Sequence, residues 1–462
     1  MSRIDDIRLR ARLWPLLPTL LAGCTVGPDY KEPELELRPA FLEAGTEPRV
    51  PRPAAWWDQL GDPTLRDLIR DAVAANYDLR IAAARVDEAR ALYRSARADL
   101  YPPVDAVGAA TRQRDSENSN FGSGTYNRFE LGLATSWEID LWGRVRREVE
   151  AAAADEAAVA SLFEDVRRVV IAQVAGEYVE YRGAERELEV ARRNIEAQRG
   201  TVELTEVLLA EGLGQEADVA RARGLLRGTE ALVPLIEGRI AGGAHRLAVL
   251  TGGDAADIRG RLAATATLPA TPPSPELGIP SDLLRARPDI RAAERELAAA
   301  TARIGVATAD LYPRITLNGR FGVDSTESST LFDSGSFSFG FGPALRWPVL
   351  DYGKVRAQIQ AQGARQRAAL AGYELTVARA IMEVETSIAL LRSRRSSRES
   401  LAEALAHDRE ALTLVETRFR EGTTSFLDVL DAQRRVLAAE AGFTRTETEL
   451  LLDFVALNRA LG

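Results

Sequence analysis

The chain has 462 residues, 46% of them apolar and 27% charged, with a net charge of −9. That is too apolar for a disordered chain and too charged for a bundle of membrane helices, and no apolar run reaches the roughly 20 residues that span a bilayer as a helix. A single cysteine excludes an intramolecular disulfide, two histidines (His245 and His407) leave little for His-based chemistry, and the acidic balance argues against nucleic acid as a partner.

At the amino terminus, Arg3, Arg8, Arg10 and Arg12 precede a short apolar stretch, 13–22. Such a stretch is too short to span but suits the h-region of a signal peptide. It ends Leu21-Ala22-Gly23-Cys24, which resembles a bacterial lipobox. In that motif the peptide is cleaved before the cysteine, the sulfur carries a diacylglyceryl group and the new amine is acylated. Several acyl chains on one residue anchor a protein stably where a single chain does not. Cys24 is therefore the expected lipidation site, 1–23 the signal peptide and 24–60 a lipid-anchored extended segment. Residues 1–23 hold four Arg and two Asp, a net +2, so their removal leaves −11. Thr25 follows the cysteine in place of Asp, which by resemblance to such lipoproteins favours the outer membrane.

The rest of the chain repeats itself at a shift of 210–211 residues. Ala98-Asp99-Leu100-Tyr101-Pro102 recurs as Ala309-Asp310-Leu311-Tyr312-Pro313, Trp142-Gly143 as Tyr352-Gly353, and Glu211-Gly212 as Glu421-Gly422. The matches keep their order, giving repeat 1 over 61–249 and repeat 2 over 284–462. Pro269, Pro272, Pro273, Pro275 and Pro280 mark the stretch between, 250–283, as an extended linker.

Each repeat opens on a helical segment (64–99 in the first) and then changes period. Over 129–139, Phe129, Leu131, Leu133, Thr135, Trp137 and Ile139 alternate with Glu130, Gly132, Ala134, Ser136 and Glu138. Ile315, Leu317, Phe321 and Val323 alternate likewise, as do Phe337, Phe339, Phe341, Leu345 and Trp347. Alternation of this kind predicts strands with one apolar face. Two strands per repeat are expected, near 103–113 and 128–139, and near 314–323 and 337–347. The helical period then returns without interruption, since no proline occurs from 104 to 233 or after 348. Tyr181, Leu188, Ile195, Val202 and Leu209 lie seven apart, as do Val429, Val436, Phe443, Leu450 and Leu457. Sustained heptads predict long helices packed as coiled coils. Residues 144–211 would run roughly 100 Å at about 1.5 Å per residue, a length suited to bridging a distance.

A ten-residue strand with one apolar face has the length of a tilted transmembrane strand. Trp137, Trp142, Trp347 and Tyr352 cluster where strands give way to helices, the place of an aromatic girdle. A small soluble sheet with the same rings in its core fits the pattern too, and the lipobox favours the membrane. In lipid a sheet must close, and four strands cannot enclose a pore, so several copies must combine.

Several motifs then point to one family. Cys24-Thr25-Val26-Gly27-Pro28-Asp29-Tyr30, Trp56-Trp57-Asp58, the run Leu277-Gly278-Ile279-Pro280-Ser281-Asp282-Leu283-Leu284-Arg285-Ala286-Arg287-Pro288-Asp289-Ile290, and Tyr312-Pro313 resemble those of the TolC-like outer membrane factor family, in its NodT-type lipoprotein branch of efflux proteins. The resemblance implies an α+β membrane protein: a homotrimer whose 12-stranded outer-membrane β-barrel takes four strands per protomer and continues as a long periplasmic helical barrel. It also implies partners, a periplasmic adaptor (membrane fusion protein) and an inner-membrane transporter of the resistance-nodulation-division (RND) class. The function implied is the exit duct of a tripartite efflux system, with no cofactor beyond the lipid on Cys24.

By the same resemblance the turns 211–218 and 421–428 form the periplasmic tips. Gly212, Leu213, Gly422 and Thr423 would meet the adaptor, and Leu427, Asp428 and Asp431 would ring the aperture with Asp218 and Arg221. The residues themselves allow simpler roles. Ser425-x-x-Asp428 resembles a capping box, and an acid in a first turn favours the helix by itself, which covers Asp218 as well. Asp431 lies beyond the cap and its repeat counterpart is Arg221; the sequence allows an Asp431–Arg221 contact between neighbouring helices and does not decide it. The arginine lock that some family members carry two residues after the glycine is Thr424 here.

Rival functions find less support. There is no HExxH, GxSxG or GxxxxGK[ST] motif, and Gly212-x-Gly214-x-x-Ala217 follows a helix rather than a strand, so no enzyme is expected. A channel of a type I secretion system would share the fold. A coiled-coil scaffold lipoprotein would have no use for amphipathic strands.

Overall fold

The computed structural model describes residues 25–44, 54–116, 124–263, 268–273 and 276–462. Among the described residues ten α-helices and four strands follow one another: α1 (Pro63–Ala75), α2 (Tyr77–Ala98), β1 (Asp105–Asp115), β2 (Gly124–Ile139), α3 (Arg144–Ala210), α4 (Glu216–Glu230), α5 (Leu232–Thr251), α6 (Ala255–Ala263), α7 (Asp282–Ala286), α8 (Pro288–Ala309), β3 (Arg314–Ser325), β4 (Phe337–Arg346), α9 (Tyr352–Arg420) and α10 (Phe426–Leu461). The proline-free runs become α3 and α9, of 67 and 69 residues, each about 100 Å of helical rise. None of the described helices is long and apolar enough to cross a membrane.

Two compact units divide the chain. One holds the described part of 1–34 with 85–161 and 291–375; the other holds that of 35–84 with 162–290 and 376–462. Each draws on both sequence repeats.

In the first unit the strands form one antiparallel meander, β1-β2-β3-β4. Ala134 pairs with Asp105 on one side and with Arg320 on the other, and Thr316 pairs with Ala344. The β2–β3 ladder is thus the seam between the repeats. Helix contacts in this unit rest on small residues, with Ala151, Ala158, Ala299 and Ala302 buried.

In the second unit, Asp62 caps α1, accepting from Thr64 N at 2.8 Å ahead of Pro63 at the first helical position. Leu65, Leu68, Tyr178, Leu247, Leu262 and Phe454 are almost wholly buried there. Arg182 lies among them. Its Nε donates to Tyr178 Oη at 3.0 Å and its Nη1 to Glu185 at 2.7 Å and Leu262 O at 3.0 Å. Tyr178 in turn donates to Asp62. A second buried cation, Arg287, bridges Asp289 at 2.6 Å, Glu383 at 2.9 Å and Ala460 O at 2.9 Å. Burial alone would push the Asp289 carboxyl up, but Arg287 outweighs it and holds it below the ordinary range.

The stretch 250–283 departs from an extended linker. Its prolines begin only at 269, and 255–263 forms α6, with Ile258 and Leu262 buried and Arg261 on Asp71 at 2.7 Å. One helical turn separates Ile258 from Leu262, a spacing that outweighs the Gly and Pro on either side.

Candidate functional site

The candidate functional residues lie in two parts of the molecule, the helical turns and the sheet with its flanks. The first turn follows α3. Gly212 adopts φ +73°, and both Leu213 N and Gly214 N reach back to Leu208 O, at 2.8 and 2.9 Å. The second turn follows α9 in the same way: Gly422 has φ +72° and Thr423 N donates to Arg418 O at 2.9 Å. Left-handed glycines close both helix ends, as the Schellman pattern requires. Gly212, Gly422 and Thr423 are exposed, and Leu213 is 79% exposed. Beneath them Phe426, Val429 and Leu430 bury against Ala222, Val415 and Phe419. A small apolar knot therefore lies beneath the bare Leu213 and the two glycine turns.

The acidic residues separate by role. Asp428 Oδ2 accepts from Thr424 Oγ1 at 2.6 Å, Ser425 Oγ at 2.7 Å and Ser425 N at 3.1 Å. These donors, Thr424 foremost, hold its carboxyl below the ordinary aspartate range. Asp218 instead meets Arg221 at 3.0 Å, and its helix has Gln215 at the N-cap with no side-chain bond. Within a single chain Asp431 and Arg221 do not meet. Asp431 accepts from Arg435 Nε at 3.0 Å on its own helix, because a partner one turn away needs no neighbouring element to bring it close. Leu427, 51% exposed, and Asp431 stand one turn apart on the same exposed face of α10.

The sheet has two unlike faces. On one, Phe339 and Phe341 are each 76% exposed and Leu345 65%, with Leu131, Leu133, Phe321 and Phe337 also exposed beside them. The other carries a ladder of alternating charge: Arg128 meets Glu130 at 2.6 Å and Asp324 at 2.5 Å, and Arg320 meets Glu130. At the centre Gly132 opposes Gly322 so closely that a Cβ on Gly322 would lie 2.4 Å from Leu131 O. An exposed apolar face this large is unusual in water and ordinary in lipid.

The four aromatics expected to form a girdle lie where the strands end. Trp142 stacks on Tyr312, with centroids 4.7 Å apart, and donates to Pro313 O at 3.0 Å. Trp347, half exposed, donates to Leu311 O at 3.1 Å. Tyr352 is half exposed under Arg356, and Trp137 is partly buried on β2.

Cys24 lies outside the described residues. The segment after it is docked. Val26 N donates to Trp142 O at 3.1 Å, Arg147 Nη2 meets Asp29 at 2.6 Å, and Tyr30 donates to Glu294. Gly27, at φ +89°, presses on Gly305, where a Cβ on Gly27 would sit 2.4 Å from Gly305 Cα. Arg147 and Gly305 were not singled out by sequence reasoning, and Gly27 entered only as part of a family motif with no role attached. The available signal was a glycine inside α8, a poor place for one unless something packs on it.

The model of the outer membrane efflux protein family matches residues 68–253 and 279–462. The chain belongs to that family. Nodulation protein T of Rhizobium leguminosarum bv. trifolii is 32% identical over 454 residues, covering 97% of this chain and 96% of its own. The outer membrane protein OprJ of Pseudomonas aeruginosa is 32% identical over 463 residues, with 97% and 94% covered. Among solved structures, the outer-membrane channel OprN superposes with a TM-score of 0.90 at 36% identity, over 95% of this chain and 99% of that one. The fold is that of the TolC-like outer membrane factors, duplicated within the chain, and this efflux protein resides in the bacterial outer membrane.

Proposed function

We propose that three copies of this efflux protein join into one conduit, the exit duct of a tripartite RND-type system. The one-sided sheet carries this reading. Its apolar face is exposed and both outer edges, β1 and β4, are unpaired among the described residues, so in lipid it must close with other copies. Three copies of four strands make a 12-stranded barrel, wide enough for a lumen lined by the charged, glycine-rich face. The long helices continue that lumen through the periplasm. The turns at Gly212-Leu213 and Gly422-Thr423 meet the periplasmic adaptor, which links the duct to the inner-membrane transporter. Leu427 and Asp431 narrow the tip, where a ring of carboxylates favours cations. Lipid on Cys24 anchors each copy at the membrane surface.

The duct conducts passively and the pump selects the cargo. Purified lipidated protein in planar bilayers should give discrete conductance steps, and its deletion should sensitise the host to a panel of drugs and detergents. An absence of conductance, with wild type and with Asp431→Ala alike, would remove the channel reading.

A further inference from the structure

The apolar face of the sheet ends on charge. Directly opposed residues of antiparallel strands share a face. By the pairs Ala106–Leu133, Gly108–Leu131, Ala110–Phe129, Arg112–Asn127 and Arg114–Thr125, the even positions of β1 stand on the face of Leu131 and Leu133. A Cβ on Gly108 would accordingly lie 3.5 Å from Leu131 Cδ1. Arg112 and Arg114 are therefore on the apolar side of the sheet, and both are exposed. They are the only charged residues that the four described strands place on that side.

Their height follows from the band beneath them. Ten residue steps separate Ile139, at the helix end of β2, from Phe129. At about 3.3 Å per step and a tilt of about 40° these rise about 25 Å, the height of a whole apolar band in a transmembrane barrel. Phe129 pairs with Ala110 and with Ser325, so the band closes at that level. Arg112 comes about 5 Å higher and Arg114 about 5 Å above it. An arginine facing lipid is costly at mid-bilayer and nearly neutral at the surface, which is where these two stand.

The acids lie elsewhere. At this end of the sheet Asp115, Glu130 and Asp324 are all on the opposite face, where Tyr126 Oη donates to Asp115 at 2.7 Å and Arg128 meets Glu130 and Asp324. The rings are distributed unevenly too. Trp137, Trp142 and Trp347 lie at the helix end of the band, whereas no strand points a Trp or Tyr outward at the hairpin end. Guanidiniums occupy there the level that indoles hold at the other end.

We infer that Arg112 and Arg114 bind the phosphates of lipopolysaccharide, the phosphorylated glycolipid of the outer leaflet. Helices leave the sheet at one end and hairpins join the strands at the other, so with the helices in the periplasm the arginine end meets that leaflet. A guanidinium forks two N–H donors onto one phosphate. Residues two apart on one face repeat about every 6.6 Å, close enough for both forks to hold one headgroup. Asn127 and Thr125, directly opposite, add an amide and a hydroxyl. This rests on the reading that the sheet closes into a membrane barrel. Each copy then brings two fixed cations to a place where glycolipid phosphates otherwise need divalent ions between them.

Full-length lipidated protein in detergent, titrated with lipopolysaccharide of minimal sugar length and followed by native mass spectrometry, tests the assignment. Arg112→Gln with Arg114→Gln should weaken binding about tenfold or more, and so should enzymatic removal of the glycolipid phosphates. Arg112→Lys with Arg114→Lys keeps the charge and should bind more tightly than the Gln variant, which separates a lost contact from a lost fold. Arg85→Gln with Arg94→Gln on α2 removes the same charge and should leave binding unchanged. Chelation of divalent ions should not strip the glycolipid from the wild type. Equal binding by the wild type and the Arg112/Arg114 Gln variant overturns the assignment and leaves the barrel standing. So does phosphatidylglycerol or inorganic phosphate binding as tightly as the glycolipid. Protein that stays soluble and monomeric without detergent overturns both.

Discussion

Arg435 Nε lies 3.0 Å from Asp431 Oδ2, one turn along the same helix, while Arg221 holds Asp218 at the same distance. The two acids are thus each restrained within their own helix. Both pairs are solvent-exposed, and such pairs add little to stability.

Replacing Asp431 with Ala should therefore change permeation more than folding. A carboxylate about 8 Å from a passing cation in water is worth about 0.5 kcal/mol, roughly a twofold change in local concentration. Reversal potentials in a salt gradient should show cation preference falling by about that factor in Asp431→Ala, with the melting temperature nearly unchanged. An unaltered reversal potential would take Asp431 out of the constriction.

Asp428 behaves differently because its carboxyl is held low by Thr424 and Ser425. A group depressed on folding contributes its stability in full above the unfolded value, about 3.9, and loses it as pH falls through the lower folded value. Hydrogen exchange over 426–430 should stay slow from pH 7 to about 4 and speed up only in stronger acid. In Asp428→Ala the same amides should exchange faster already at pH 7. Protection that declines near pH 6 in the wild type would contradict this.

Gly27→Ala should undo the docking of the amino-terminal segment. The added carbon meets Gly305 Cα at 2.4 Å, in a backbone region that costs a non-glycine residue energy in its own right. Together these come to about 2 kcal/mol or more. Lys31 is exposed beside the clasp, so trypsin cleavage after it reads the loosening directly. A cleavage rate equal to that of the wild type would refute the clasp.

Arg182→Met should destabilise the second unit by about 3 kcal/mol, since it leaves the buried Tyr178 hydroxyl and Leu262 carbonyl without their donor. Tyr178→Phe removes two hydrogen bonds, the one to Asp62 and the one from Arg182 Nε, and should cost nearer ~2 kcal/mol. Thermal or denaturant unfolding followed by circular dichroism orders the two variants. The reverse order would show that Tyr178, rather than Arg182, organises this buried cluster.

Much of the fold was legible because its two environments impose clean periods. Lipid on one face forces alternation in β2, β3 and β4, and helix-on-helix packing forces the heptads through Tyr181 and Val429. β1 was faint for a physical reason: Ala106, Gly108 and Ala110 occupy its apolar face, so the alternation there is one of small residues. What stayed hidden depended on tertiary neighbours. Nothing local marks Gly27 as the partner of Gly305, or Arg147 as that of Asp29. The repeat correspondence suggested Arg221 for Asp431, yet Arg435 was always nearer along the chain. Short helical spacing within a Pro- and Gly-rich stretch concealed α6 in the same way.

Each compact unit is braided from both halves of the polypeptide, with β2 laced to β3 across the internal duplication. Half a molecule is therefore not half a machine: a fragment ending before residue 291 owns a hairpin with nothing to lace to and a helix layer missing its facing rods. Neither unit can close before the residues after 290 are in place, so the two repeats fold as one cooperative object or not at all.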